Sequence, residues 1–308
     1  MKLKRMNKWI IAFCVFVLLQ ACTKSSKRET PTEGSIKVAA DPAVSKMSGQ
    51  IVDAFTHIYG YANVEFQEMR AADAINALLD DSVRVIIIPG TLTPEQIDAL
   101  KKKNIYPTIQ PVAKDAIAVI IHPDNPDSML RLDVLKAIAD GSIANWNQIN
   151  PKQTSREIEI VIDQAGASVA MYLQDSLLQG KALATGIKTM GSNQDVINYV
   201  SQNMHAIGFV GVNWICNSND SMAIGFLQQV RPVHLKNEQD GSYYLPFQAW
   251  IGQELYPLRR TVNAISLETR SGLGTGFISF AAGDKGQRVV LKSGLMPATK
   301  PVRQVRLQ

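Results

Sequence analysis

The sequence has little of what redox, metal and nucleophilic chemistry require. Its 308 residues include three cysteines and four histidines. Cys14 and Cys22 fall within the first 22 residues, so Cys216 is the one thiol beyond them and no intramolecular disulfide can form there. Cys216 follows Trp214 and Ile215 and reads as a small buried hydrophobe. His57, His122, His205 and His234 are never three to five residues apart, nor beside a cysteine pair, which argues against a metal site. No Gly-x-Ser-x-Gly elbow is present, and no carboxylate pair stands out for general acid and base work. Gly272-Leu273-Gly274-Thr275-Gly276 lacks the spacings that cradle a nucleotide phosphate and does not follow a clear strand. The chain reads as no enzyme, with no cofactor and no metal. It also lacks any internal repeat of 20 to 50 residues.

Charge is sparse and nearly balanced. Charged residues make up 19% of the chain, with Lys and Arg exceeding Asp and Glu by 32 to 27. Four of the basic residues, Lys2, Lys4, Arg5 and Lys8, precede the longest apolar run, and setting them aside leaves 28 basic against 27 acidic residues. Nucleic acid is therefore a poor partner. The run from Trp9 to Leu19 spans eleven residues, about 16 Å as a helix, roughly half of a bilayer's hydrocarbon thickness. A basic start, this run and Leu19-Gln20-Ala21-Cys22 form a signal-peptide pattern, and Leu-x-Ala-Cys resembles the bacterial lipobox. The expectation is a leader over residues 1–21, lipidation at Cys22, and a flexible tether over 22–34, where Thr23 to Glu33 carry no large apolar side chain. Membrane contact would be through the lipid anchor alone, at the bacterial cell envelope facing the periplasm. Thr23-Lys24-Ser25 does not choose between inner and outer membrane.

What is present is an alternation of short β-rich runs with amphipathic stretches. Ile36 to Ala40 reads as a strand, and Ile51, Val52, Phe55 and Ile58 share a helical face. Val64 to Phe66 and Val83 to Ile88 read as further strands, with a helix over Ala71 to Leu79 between them. Thr93-Pro94-Glu95 opens another helix, with Thr as N-cap and Pro at the first helical position. Ala116 to Ile121 is an apolar strand ended by His122-Pro123-Asp124-Asn125-Pro126. Helices over Leu132 to Ala139 and Ser168 to Leu178 flank a strand at Ile158 to Ile162, and Asp240-Gly241 marks a hairpin. Thr275 to Ala282 and Asp284 to Ser293 are helical, with Gly294 as stop. The fold class is α/β in two lobes, 35–113 plus 245–308 forming lobe I and 114–244 lobe II, joined by two crossing hinge strands. The turn Asp163-Gln164-Ala165-Gly166-Ala167-Ser168 joins a strand to a helix, where free N–H groups favour an anion.

Five segments, in order, resemble the PstS-like phosphate-binding subfamily of periplasmic substrate-binding proteins, over about Gly34 to Ala298. They are Lys114-Asp115-Ala116-Ile117-Ala118-Val119 with His122-Pro123-Asp124-Asn125-Pro126, and Gly141-Ser142-Ile143-Ala144-Asn145-Trp146. Then come Ala206-Ile207-Gly208-Phe209-Val210-Gly211, Tyr256-Pro257-Leu258-Arg259-Arg260, and Gly283-Asp284-Lys285-Gly286-Gln287 leading to Ser293-Gly294-Leu295-Met296-Pro297. The resemblance implies a two-lobe fold that closes on a small anionic solute held by hydroxyls, N–H groups, an Arg and an Asp. It also implies delivery to an ABC permease.

The ligand loops depart from that pattern. Where the family carries a Gly-Ser-Ser-Thr-like run, this chain has Ala40-Asp41-Pro42-Ala43; Arg70-Ala71-Ala72 replaces Gly-Ser-Gly, and Pro89-Gly90-Thr91 replaces a Ser-Arg or Ser-Asp loop. In the fourth loop Asp163, Gly166 and Ser168 match, whereas Val161 replaces an Arg and Ala165 and Ala167 replace hydroxyls. The candidate ligand-binding set is thus Asp41, Arg70, Thr91, Asp163, Gly166 and Ser168, with Arg70 restoring a cation and Thr91 or Ser45 a hydroxyl. Two readings stay open: a solute receptor for phosphate or another small oxyanion, and a binding-protein fold acting as an envelope adapter or sensor on protein partners.

Overall fold

The computed structural model describes residues 29–153, 155–216 and 221–300. The expected leader, the lipidation position Cys22 and the basic tail beyond Lys300 lie outside the described residues. The end of the expected tether does not run free. Thr30 and Glu33 exchange backbone hydrogen bonds of 2.9 and 3.4 Å, and a Cβ on Gly276 would meet the Pro31 carbonyl at 1.9 Å. The turn at residues 30–33 is therefore docked on the body of the protein.

Strand β1 (Gly34–Ala40) is followed by helix α1 (Ser45–Ile58), β2 (Ala62–Glu68), α2 (Ala71–Leu79), β3 (Val85–Pro89) and α3 (Pro94–Lys102). Each helix is fixed by its own sequence. Met47, Ile51 and Phe55 recur at four-residue spacing and are fully buried, and Phe55 packs edge-on against Phe277 and Phe280. Thr93 caps α3 in a capping box with Gln96, as the Thr-Pro start implied. β4 (Thr108–Ile121) is far longer than the apolar run Ala116 to Ile121, because its first half is amphipathic and carries Gln110, Lys114 and Asp115.

The second half of the chain adds β5 (Met129–Leu130), α4 (Leu132–Ala139), β6 (Glu159–Ile162), α5 (Ser168–Tyr172), β7 (Lys188–Thr189), α6 (Asn193–Gln202), β8 (Ala206–Gly211) and α7 (Ser221–Gln229). The helix expected over Ser168 to Leu178 is α-helical only to Tyr172 and continues as a π-turn over Leu173–Leu177. Then follow β9 (Arg231–Pro232), β10 (His234–Lys236), β11 (Tyr243–Tyr244), α8 (Gln248–Gly252), β12 (Arg259–Ser266), α9 (Leu273–Ala282), α10 (Asp284–Lys292) and β13 (Met296–Pro297). β10 and β11 pair antiparallel about the Asp240-Gly241 turn. Gly294 ends α10 with φ +86°, a left-handed conformation suited to glycine.

One sheet runs through both lobes in the order β2-β1-β3-β12-β4-β8-β6-β7. β4 is its shared member. Thr108 to Ala116 pair with β12, and Ile117 to Ile121 pair with β8. The partner change falls between residues 116 and 117, and the buried Tyr256 hydroxyl donates to the Ile117 carbonyl there at 2.9 Å. Strands of the first lobe are β1 to β3 and β12; strands of the second are β6 to β8. In both, parallel strands end at the junction, where short loops lead into α2 and α5. Ligands of open α/β sheets bind at such strand ends.

The lobes touch across this junction. Gly211, at the end of β8, lies so close to Ala43 that an added Cβ would sit 2.7 Å from both the Ala43 Cβ and its carbonyl oxygen. A Gly211→Ala substitution is expected to wedge the lobes, destabilising the closed arrangement by about 1–3 kcal/mol, with a larger radius in scattering. An unchanged radius and unfolding midpoint would show that the contact bears no load.

Candidate functional site

The junction is organised around Asp41, which follows β1 and has no exposed surface. Its Oδ1 accepts from the Ala43 N–H at 3.1 Å and the Ser168 hydroxyl at 2.5 Å. Its Oδ2 accepts from the Ala71 and Ser168 N–H groups, both at 3.0 Å. Four donors thus fill the four lone-pair positions of one carboxylate. The Ala43 contact is local, the cap of a single 3-10 turn over Pro42–Val44. Ala71 opens α2 in the first lobe, and Ser168 opens α5 in the second.

Beside this carboxylate stands Arg260, projecting from β12. Its Nε donates to Asp115 Oδ2 on β4 at 2.7 Å, and its Nη1 donates to the Ser168 hydroxyl at 3.0 Å. Both side chains of the Arg260–Asp115 pair are buried. Nη2 of Arg260 is buried with no hydrogen-bond partner, so one arm of the fork retains an unspent donor. Burial pushes the Asp115 carboxyl up, and the Arg260 charge opposes that shift.

Asp163 directly follows β6 on the second lobe and is also buried. Its Oδ2 accepts from Asn193 Nδ2 at 3.0 Å, and Asn193 Oδ1 accepts from the Gly211 N–H at 3.0 Å. Burial raises the Asp163 carboxyl to about 6; the Asp41 charge adds to the rise, while the Gln164 N–H, Arg260 and Asn193 oppose it.

Four of the six candidate residues come together here: Asp41, Asp163, Gly166 and Ser168. Gly166 contributes its backbone. With φ +78° it turns its carbonyl to the Ala72 N–H at 3.2 Å, across the lobes. Arg70 lies at the rim. Its Nη1 donates to the Ala165 carbonyl at 3.0 Å, but its Nε pairs with Asp73 at 2.6 Å and the side chain is 42% exposed, so this cation is already engaged outside the cradle. Thr91 is exposed beyond β3, next to buried Leu92. The Ser45 hydroxyl donates to the Pro42 carbonyl at 3.2 Å within its own turn. Val161, which stands where the resemblance implies an Arg, is core, and the guanidinium buried at this junction is that of Arg260. Arg260 lay within the Tyr256-to-Arg260 segment, yet nothing local marked it as facing a helix start 92 residues away.

Two further segments singled out in the sequence are engaged structurally. The Gly272–Gly276 segment does follow a strand, β12, but the nearly buried Glu268 carboxylate accepts from the Gly274 and Thr275 N–H groups at 3.2 and 2.7 Å and fills the helix start. Burial pushes the Cys216 thiol far up, and its Sγ donates to the Pro246 carbonyl at 3.1 Å. Among the described residues no group of three or more His, Cys, Asp or Glu is placed to hold a metal ion. No helix among them is long and apolar enough to cross a membrane.

Two α/β lobes sharing a strand, with donors from both converging on a buried carboxylate, define a two-lobe binding protein. The family described as the PBP superfamily domain matches residues 25–285, and the chain belongs to it. It is 21% identical over 294 residues to the phosphate-binding protein PstS of Pseudomonas aeruginosa, covering 90% of this chain and 87% of that one. Among solved structures, a Clostridium perfringens protein with phosphate bound superposes with a TM-score of 0.72 at 20% identity, over 86% of this chain and all of the other. An ABC-type phosphate transport receptor from Vibrio cholerae gives 0.68 at 18% identity, over 86% and 100%. These likenesses agree with the two-lobe α/β fold read from the sequence.

Proposed function

We propose that this chain is an extracytoplasmic solute-binding protein for a small tetrahedral oxyanion, phosphate first among candidates, which it passes to an ABC-type importer without chemistry. One observation carries the proposal. Two N–H groups and one hydroxyl, drawn from both lobes, converge on a position that already holds the two oxygens of a carboxylate, and the Arg260 guanidinium donates to that same hydroxyl from behind. Such donors recover the desolvation cost of an anion only when its oxygens are all satisfied. Relatives named for phosphate binding along nearly the whole chain support the same reading. The division into lobe I, 35–113 with 245–308, and lobe II, 114–244, belongs to this proposal, as do lipidation at Cys22, anchoring in the cell envelope and contact with a permease.

The second reading, an adapter or sensor recognised by protein partners, is favoured by the occupancy of the cradle by Asp41. Thermal unfolding of solute-stripped protein across a phosphate titration, with sulfate and chloride controls, tests the receptor. Saturation at 100 times the dissociation constant adds about 2.7 kcal/mol, a rise of about 5–11 °C at roughly 2–4 °C per kcal/mol. A midpoint indifferent to phosphate in the wild type and in a variant freed of the Asp41 carboxylate would overturn the receptor reading.

A further inference from the structure

We infer that Asp41 is a tethered internal anion that occupies the solute's position and holds the two lobes shut in the absence of solute. The inference rests on the oxyanion-receptor reading of the same cleft and adds what that reading does not contain, a built-in competitor. A cap for the turn at Pro42–Val44 needs one oxygen and one N–H, the Ala43 contact. The other three bonds serve no local purpose. One ties the carboxylate to the start of α2, and two tie it to Ser168 on the opposite lobe, 127 residues away.

Other bonds across the junction surround this one. Arg70 Nη1 reaches the Ala165 carbonyl, the Ala72 N–H reaches the Gly166 carbonyl, the Met47 N–H donates to Asn213 Oδ1 at 3.3 Å, and the Trp214 indole N–H donates to the Pro42 carbonyl at 3.0 Å. Pro42 and Ala43 are buried with Asp41. The lobes are therefore closed around a carboxylate that belongs to the chain itself.

Charge gives the second argument. Asp41, Asp115 and Asp163 are all fully buried at this junction, and Arg260 is the buried guanidinium that faces them. An oxyanion added to that set would bring further negative charge against three carboxyl groups. Exchanging it for Asp41 leaves the donors satisfied and removes one negative group from the cradle. Solute must therefore displace Asp41, and its apparent dissociation constant rises by the inverse of the fraction of molecules in which Asp41 has swung out. The closed form is the resting form, available to a partner without solute.

Inorganic phosphate and Asp41→Ser provide the test. Serine retains a side-chain oxygen for the Ala43 cap but is too short to reach Ala71 and Ser168. In small-angle scattering without phosphate, wild type is expected to show the closed radius and Asp41→Ser a larger one. Phosphate should return the variant to the closed radius, with an affinity at least tenfold tighter than that of the wild type by calorimetry. Equal radii for wild type and Asp41→Ser without phosphate would overturn the inference, as would a wild type that is open when stripped and closes on phosphate; in the latter case the receptor reading stands. Opening of Asp41→Ser with no phosphate response in either protein would support the internal anion and defeat the oxyanion receptor. Should Asp41→Ser fail to fold, Ser168→Ala tests the same closure from the other lobe: it removes the hydroxyl bond to Oδ1 and the Arg260 contact but leaves the Ser168 N–H bond to Oδ2 and the Asp41 turn in place, so a smaller increase in radius is expected. A larger radius supports the inference, and an unchanged one overturns it.

Discussion

Replacing Arg260 by alanine is expected to cost about 3–5 kcal/mol of folding free energy, the range for removing one partner of a buried ion pair. Both members are buried, Asp115 completely, and the Nε–Oδ2 distance is 2.7 Å. The cost arises on the side that remains. Without the guanidinium, Asp115 keeps its desolvation penalty and loses the charge that offsets it, and the Ser168 hydroxyl loses a donor. Asp115 would then bind a proton more readily, so the deficit should shrink as pH falls. Urea unfolding at several pH values reads both effects. The paired replacement of Arg260 by Met and Asp115 by Leu should recover much of the loss, since apolar groups of similar volume remove the charge with its partner. A loss under 1 kcal/mol for Arg260→Ala would mean that the pair is hydrated in solution.

Asp163→Asn is expected to act in the opposite direction. The folded-state carboxyl is raised from 3.8 to about 6, chiefly by burial. Between about pH 4 and 6 the native chain therefore holds a proton that the unfolded chain releases, and wild-type stability falls as pH rises through that window. Above it the full penalty of keeping the carboxylate ionised is present, on the order of 2–3 kcal/mol at about 1.4 kcal/mol per pKa unit. Asn193 already donates to Oδ2, a bond that an asparagine oxygen at 163 can accept. Asp163→Asn should consequently stabilise the protein at pH 8, match the wild type near pH 4, and flatten the slope between. Destabilisation at pH 8 would show that the Asp163 charge is compensated more fully than its burial implies.

Much of the architecture is readable from the chain, because β-rich runs and helical faces are local patterns. The capping box at Thr93, the hairpin at Asp240-Gly241 and the stop at Gly294 each follow from a residue type and its immediate backbone demand. The π-turn after Tyr172 has no such local mark. The site divides along the same line. Asp163, Gly166 and Ser168 sit on one strand-turn-helix segment and announce themselves together, whereas Thr91 offers a hydroxyl but is exposed. Arg260 and Asp115 meet only because β12 and β4 pair in register, a relation that no spacing encodes.

The loops at 70–72 and 165–167 carry no hydroxyl side chain. Yet the Ala71 N–H still donates, because a backbone donor does not depend on its side chain. The added charge at Asp41, which looks like damage to a ligand loop, is in the fold the best-satisfied acceptor of the junction.

The most direct test of this account is a phosphate titration of solute-stripped Asp41→Ser followed by thermal unfolding, with sulfate and chloride as controls. The account predicts a phosphate-specific rise of about 5–11 °C at 100 times the dissociation constant, reached at lower phosphate than in the wild type. A variant that folds cooperatively and shows the same midpoint at zero and millimolar phosphate would contradict it.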